Sequence, residues 1–225
     1  MRTHTSRSQA GFTLIEAMIV VGIVLTIAAL AIPAIGRMRP RARLATTTAE
    51  FQSLVHQARL QALSTGRDVW VVVFPEYANG DGVGRVVVYE DGNFDFATTN
   101  AASGVDLDRM DPAKPQAGPL GQVVSTMDFP AAVRFGADAS APTALAAPFA
   151  GVDLSQACSF CGNLSDHRGA IRFDPRGRAS FYGRTGAAQT TAGGALHLTS
   201  SPDVPGTRTL VVAPVSGVVR LIAKG

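Results

Sequence analysis

A carboxylate inside an apolar run, a pair of cysteines and a late series of arginines are the residues of this sequence with chemistry to offer. Glu16 stands within an otherwise apolar stretch, where a charge near a membrane centre costs about 2.5–3.5 kcal/mol on insertion scales. Such a carboxylate either lies at an interface and reaches toward headgroups, or pairs with a cation such as a free amine on an adjacent chain. Cys158-Ser159-Phe160-Cys161 is a C-x-x-C pair. A structural disulfide is its expected use if the domain lies outside the cytoplasm. Free thiols are the next reading; zinc needs further ligands, of which only His167 is close in sequence, and a thioredoxin-type centre needs a βαβ setting. His4, His56, His167 and His197 stand in no nucleophile–base context, and neither H-E-x-x-H nor G-x-x-x-x-G-K occurs. Asn79, Asp81, Gly84 and Glu90 fall on calcium-loop spacing, but Val83 takes a ligand position, so an ordinary hairpin loop is expected. No catalytic residue, metal site or cofactor is expected.

Hydrophobic residues make up 46% and charged residues 16% of the 225 positions, which excludes a disordered or acidic tail protein. The net charge of +3 hides a segregation along the chain. Residues 1–67 carry 8 arginines against 2 acids, residues 68–167 carry 4 basic and 13 acidic groups, and residues 168–225 carry 8 basic and 2 acidic groups. A basic, acidic, basic order points to oriented contacts rather than to a general polyanion-binding surface. In the last segment Arg168, Arg172, Arg176, Arg178, Arg184, Arg208, Arg220 and Lys224 form either a phosphate-contacting surface or a face complementary to acidic neighbouring subunits.

The elements that must position these residues begin with a helix. Ala17 to Ile35 contains no charge and as a helix spans about 28 Å, close to the thickness of a hydrocarbon core. A retained membrane span is expected over a cleaved secretory signal, because Pro33, Gly36 and a row of arginines follow instead of a small-x-small cleavage site. Leu44 to Thr65 continues as an amphipathic helix with Leu44, Phe51, Leu54, Val55, Ala58 and Ala62 on one face, and Gly66 is its natural stop. Pro33 and Pro40 allow a kink or a local break between the two halves. The period then changes. Runs 69–74 and 85–90 are β-branched and aromatic, and further strands are expected at 122–126, 131–135, 169–173, 179–182, 195–199, 208–213 and 217–222. Asp174-Pro175-Arg176-Gly177 fits a β-turn with proline second and glycine last. Residues 97–121 and 136–167, rich in Ala, Pro and Gly, read as long surface excursions. One helix followed by many strands predicts an α+β fold, with the helix packed on an antiparallel β-sheet head.

Gly11-Phe12-Thr13-Leu14-Ile15-Glu16, behind a short leader with Arg2 and Arg7 and ahead of the apolar helix, resembles the type IV prepilin signature. The resemblance implies cleavage between Gly11 and Phe12 by a prepilin peptidase, N-methylation of Phe12, and a role for Glu16 in assembly through a neighbour's N-terminal amine. It divides the chain into a leader (1–11), a membrane and assembly helix (12–36), the amphipathic half (37–67) and a β-rich periplasmic head (68–225). Arg37, Arg39, Arg41 and Arg43 after the span favour the opposite orientation on a bare positive-inside count, and the more specific motif is followed.

The helix, the Phe51-Gln52-Ser53-Leu54-Val55-His56-Gln57-Ala58-Arg59-Leu60-Gln61-Ala62 stretch and Ile171-Arg172-Phe173-Asp174-Pro175-Arg176-Gly177-Arg178 resemble the GspH/FimT group of minor pilins and pseudopilins. That resemblance implies an inner-membrane, single-pass subunit whose partners are other pilins or pseudopilins in the filament of a type IV pilus or type II secretion system. Some members of the group bind DNA through Gly-Arg-x-Arg in the last hairpin. Here the matching place reads Gly217-Val218-Val219-Arg220, which lacks the first arginine, and Gly177-Arg178-Ala179-Ser180 has the opposite defect. DNA uptake is therefore the alternative function, with Arg176, Arg178 and Arg220 as its candidate contacts.

Overall fold

The computed structural model describes residues 13–75, 84–92, 107, 110–115, 121–136, 142–147, 149–161, 168–183, 188–189, 193–200 and 206–224. Within residues 30–39, 188–189 and 223–224 only the backbone is described. The chain divides into two units, Met1–Arg39 and Pro40–Gly225.

Helix α1 is assigned over Leu14–Thr65 and runs through Pro33 and Pro40 without a break in helical assignment. It ends where the sequence places a stop: Gly66 adopts φ +67° and its N–H donates to the Ala62 carbonyl at 3.1 Å, a left-handed cap that a residue with a Cβ adopts only at a cost. The strands follow as β1 (Asp68–Phe74), β2 (Arg85–Asp91), β3 (Gln122–Asp128), β4 (Val133–Phe135), β5 (Gly169–Phe173), β6 (Ala179–Gly183), β7 (Ala188–Gln189), β8 (Gly194–Ser200), β9 (Thr207–Val212) and β10 (Val219–Lys224). They form a six-stranded sheet in the order β3-β2-β1-β5-β6-β7 and a four-stranded sheet in the order β10-β9-β8-β4. Every pairing is antiparallel. This is an α+β fold, and every strand expected from the sequence is present; β7, only two residues long, carries too little pattern to be read in advance.

Alternation along the strands explains how one helix serves two sheets. Val69, Val71 and Val73 of β1, Val86 and Val88 of β2, and Ile171 and Phe173 of β5 share a core with Leu196, Leu198, Leu210 and Val212 of the second sheet. The helical face Leu44, Phe51, Leu54, Val55, Ala58 and Ala62 fills the same core. All six of these helical residues are buried, as their spacing predicts.

The two segments read as surface excursions are a correction. Where described, they are covers for the outer faces of the sheets. Trp70, Val72, Phe74, Val87, Tyr89 and Ala170 form a second core with Leu107 and Met110, which is why β1 is buried at every position. Arg168 holds this cover by donating to the Leu107 and Met110 carbonyls at 3.0 and 2.9 Å, with its guanidinium over the Phe74 ring. Arg85 forks onto Asp128 and donates to the Pro112 carbonyl at 2.6 Å. On the other sheet, Phe149, Val152 and Leu154 close over Ala195, Val211 and Ala213. A handful of large apolar residues in an Ala- and Pro-rich stretch is enough to cover a sheet face without any regular period.

His197 lies under this second cover, fully buried, with Nδ1 2.8 Å from the Thr209 hydroxyl. Burial holds its pKa below the ordinary 6.5, against the opposing pull of the Leu154 carbonyl and the Asp153 carboxylate. The folded protein therefore binds fewer protons here than the unfolded chain, and this contribution to stability is lost as the pH falls from the unfolded value through the folded one. Between about pH 7.5 and 5.5 the urea midpoint of the wild type is expected to fall further than that of His197→Gln. Equal falls would show that His197 carries none of the acid sensitivity.

Candidate functional site

Gly11 and Phe12 lie outside the described residues. Thr13 is the cap of α1: its Oγ1 accepts the Glu16 N–H at 3.3 Å and its carbonyl accepts the Ala17 N–H at 3.2 Å. Thr13-x-x-Glu16 is thus the spacing of a capping box, a signal present in the sequence that the membrane argument overlooks. Glu16 is exposed in the first turn, where a carboxylate faces the positive end of the helix dipole. On either side of it, Leu14, Ile15, Met18, Ile19, Val20, Val21, Ile23, Val24, Leu25 and Ile27 are each at least 50% exposed. Consecutive positions 18 to 21 span a full turn, so the apolar surface runs all the way round, which marks a helix that other molecules must cover. Among the described residues no helix is long and apolar enough to cross a membrane. The Ala17–Ile35 run of the sequence extends past the described side chains, which stop at Ala29 and resume at Pro40.

The arginine candidates separate into those spent inside the fold and those left at its surface. Arg172 places Nε and one terminal nitrogen on Asp68 Oδ2 at 2.9 and 2.6 Å, reaches the Tyr182 hydroxyl at 3.3 Å, and lies over the Trp70 ring. Its pKa is raised: burial pulls it down, and the Asp68 and Tyr182 contacts outweigh that loss. Arg178 pairs with Asp174 at 2.6 Å, inside the turn predicted from Asp174-Pro175-Arg176-Gly177. That turn closes by the Gly177 N–H donating to the Asp174 carbonyl at 2.7 Å, with Gly177 at φ +73°. Asp174 also accepts the Arg176 and Arg178 backbone N–H groups, both at 2.9 Å; these bonds and the Arg178 side chain hold its carboxyl below the usual range, against burial, which pushes it up. Arg176 and Arg220 are exposed, and among the described residues neither has an ion-pair partner.

Two hairpin tips converge on the end of α1. Arg59 Nε donates to the Gly177 carbonyl at 3.2 Å. A Cβ added at Gly217 would lie 2.5 Å from that same carbonyl and 3.0 Å from Arg59 Nε, and one at Gly177 would meet Leu63 at 3.1 Å. The β5–β6 and β9–β10 turns therefore touch each other over Arg59 and Leu63. This brings Arg176 and Arg178 to one tip and the hairpin of Arg220 to the other, a grouping that spacing alone does not reveal. Glu90, of the calcium-loop spacing, is bound by Gln61 and Arg67, and Asn79, Asp81 and Val83 lie outside the described residues.

Cys158 and Cys161 form a disulfide, both buried. Their segment continues the lane of β4 along β8: β4 pairs with Leu198 to Ser200, and Cys158 bridges to Leu196. The Ser159 N–H donates to the Ala195 carbonyl and its hydroxyl accepts the Ala195 N–H, both at 2.9 Å. Between the cysteines, Phe160 enters the space between the two sheets. A Cβ at Gly169 of β5 would lie 2.7 Å from its ring, and one at Gly194 of β8 would lie 3.0 Å from it. Buried sulfurs in a packed turn suit a staple, since redox chemistry requires an accessible thiolate.

Comparison with curated proteins and with solved structures gives no match. A family model, the prokaryotic N-terminal methylation motif, matches residues 6–32. The match contains Thr13, Glu16 and the apolar turns that stand exposed, so the chain carries a prepilin-type signal leading into helix α1.

Proposed function

We propose that the chain is a minor pilin or pseudopilin of the GspH/FimT type, anchored in the inner membrane with its β-rich head in the periplasm. In this reading it acts in assembly or priming of a type IV pilus or a type II secretion pseudopilus. The observation that carries it is the helix beginning at Leu14, apolar around its whole circumference and exposed, directly inside a prepilin-type signal. Lipid before assembly and neighbouring helices after it supply the missing cover. Prepilin peptidase and other pilins or pseudopilins are then the partners, and the role is structural. The disulfide fits a head held in an oxidising compartment.

Mass spectrometry of the chain from membranes that contain a prepilin peptidase tests this reading. The mature chain is expected to begin at Phe12 with a methylated amine; a chain that keeps Gly11, or begins elsewhere, overturns it. Two exposed arginines at the converging tips, Arg176 and Arg220, favour the DNA-uptake alternative. The Arg178 pairing with Asp174 and the exposed Val218 in place of a first arginine weigh against it.

A further inference from the structure

Among the described residues of the unit Pro40–Gly225, five large apolar side chains stand exposed, and they gather about one end of it. Val215 is 72% exposed, and Leu60, Leu63, Val124 and Val218 are 44–52% exposed. Leu60, Leu63 and Val124 line one groove between α1 and β3. Leu63 also borders Gly177, whose turn meets the β9–β10 turn that carries Val215 and Val218. Val215 holds φ +60°, and among the described residues no other non-glycine has a positive φ. A branched residue kept exposed on such a backbone is strain that packing does not repay.

The charges at this end are one-sided. Asp68 is held by Arg172, Glu90 by Arg67 and Asp174 by Arg178, while Asp91 is buried. Arg176 and Arg220 are exposed and without an ion-pair partner among the described residues. Arg59 donates to the Gly177 carbonyl, which leaves its charge uncancelled. The carboxylates described here are thus spent, and three guanidinium charges are left over.

The combination identifies the class of partner. A single small anion is held by donors that converge, but these three arginines stand on α1, on the β5–β6 turn and on β10. A nucleic-acid backbone is held through its phosphates and gains nothing from exposed valine and leucine. Protein interfaces lean on aromatic anchors, with leucine and valine under-represented, and no aromatic ring is among the exposed side chains described here. An anionic bilayer uses what is present: aliphatic groups that enter the headgroup layer beside cations that meet the phosphates.

We propose that this end of the unit binds an anionic bilayer. Val215, Val218 and Leu63 enter the headgroup layer, and Arg59, Arg176 and Arg220 lie on the lipid phosphates. The contact goes beyond the subunit reading, on which it rests only for the N-terminal anchor, and gives an anchored chain a second hold on lipid.

The test seats the full-length chain through its N-terminal helix in discs of neutral phosphatidylcholine and offers it separate fluorescent vesicles. Vesicles that contain phosphatidylglycerol are expected to be captured at least about tenfold more than vesicles of phosphatidylcholine alone. Arg176→Glu with Arg220→Glu is expected to remove that preference. Val215→Asn, which accepts the same backbone but is polar, is expected to lower capture severalfold. Ser216→Cys places an environment-sensitive label beside Val215, since Cys158 and Cys161 are bonded to each other and take none. Its emission is expected to shift to the blue when charged vesicles bind, while that of a label at Thr46→Cys, near Arg43 in sequence, stays unchanged. The opposite pattern would assign capture to the arginines that follow the apolar helix and overturn the proposal. So would no capture, equal capture of both vesicles, or duplex DNA retained where vesicles are not. An intact disulfide and unchanged Trp70 fluorescence show that each variant is folded. A chain seated in the discs and methylated at Phe12 that captures no vesicle removes the lipid contact and leaves the subunit reading. A chain that keeps Gly11 overturns the subunit reading whatever it captures.

Discussion

Phe160→Ala is expected to lower the stability of the unit Pro40–Gly225 by about 3–5 kcal/mol, the usual cost of emptying a buried aromatic site. Phe160 is 2% exposed, and its ring centroid lies 5.4 Å from that of Phe181. Its surroundings cannot collapse into the space. Gly169 and Gly194, in different sheets, are already without side chains there, and the backbone of each is fixed by strand pairing. Urea unfolding of the full chain in detergent, followed by fluorescence of Trp70, the chain's single tryptophan, measures the loss. Phe160→Leu should recover part of it by refilling volume. A loss under about 1 kcal/mol on Phe160→Ala would show that the sheets do not depend on this ring.

The second large effect belongs to Glu16. Glu16→Ala is expected to remove the chain from assembled filaments while the unfolding midpoint of the β-rich unit stays where it is, because Glu16 is exposed and lies in the other unit. The physical argument rests on the amine that the proposed cleavage before Phe12 would create. Left without its carboxylate in an apolar bundle, that charge costs about 2.5–3.5 kcal/mol, roughly a hundredfold in incorporation. Glu16→Gln separates the carboxylate's two roles. An amide at this position can still serve the capping box with Thr13 but carries no charge. Comparing subunit in sheared filaments with subunit in membranes is the readout. Normal incorporation of Glu16→Gln would assign Glu16 to helix capping alone.

What could be read in advance follows the range of each interaction. The strands, the buried face of α1, the stop at Gly66 and the turn at Asp174 are set by neighbours a few residues apart, and each carries a period or a turn signature. The covers are different. Leu107 and Met110 are held by Arg168, 61 and 58 residues on, and Cys158 reaches Leu196 across a long gap. Their stretches are rich in Ala, Pro and Gly, with no period to show which few apolar residues turn inward. The arginines follow the same rule. Arg172 and Asp68 are 104 positions apart, and nothing local distinguishes the Arg172 held in that pair from the exposed Arg220. Glu16 stood out because its anomaly is local: one charge in an apolar run.

The strip at Cys158 has a consequence for what happens when the head is reduced. A strand on the rim of a sheet offers its backbone to any other chain that can pair with it. Along β8 that rim is occupied by β4 at one end and by Ala157 to Ser159 at the other. Opening the Cys158–Cys161 bond removes the covalent closure of the second occupant's turn and leaves that stretch held by its hydrogen bonds to Ala195 and His197 and by buried Phe160, with β8 still paired to β9. A reducing environment would therefore loosen the cover at Gly194 to Leu196 before it disturbs the pairing of β8 with β9, and so bring that stretch nearer to taking up a foreign strand. The Cys158–Cys161 bond thus secures the cover of a sheet rim against foreign pairing as well as stapling a turn.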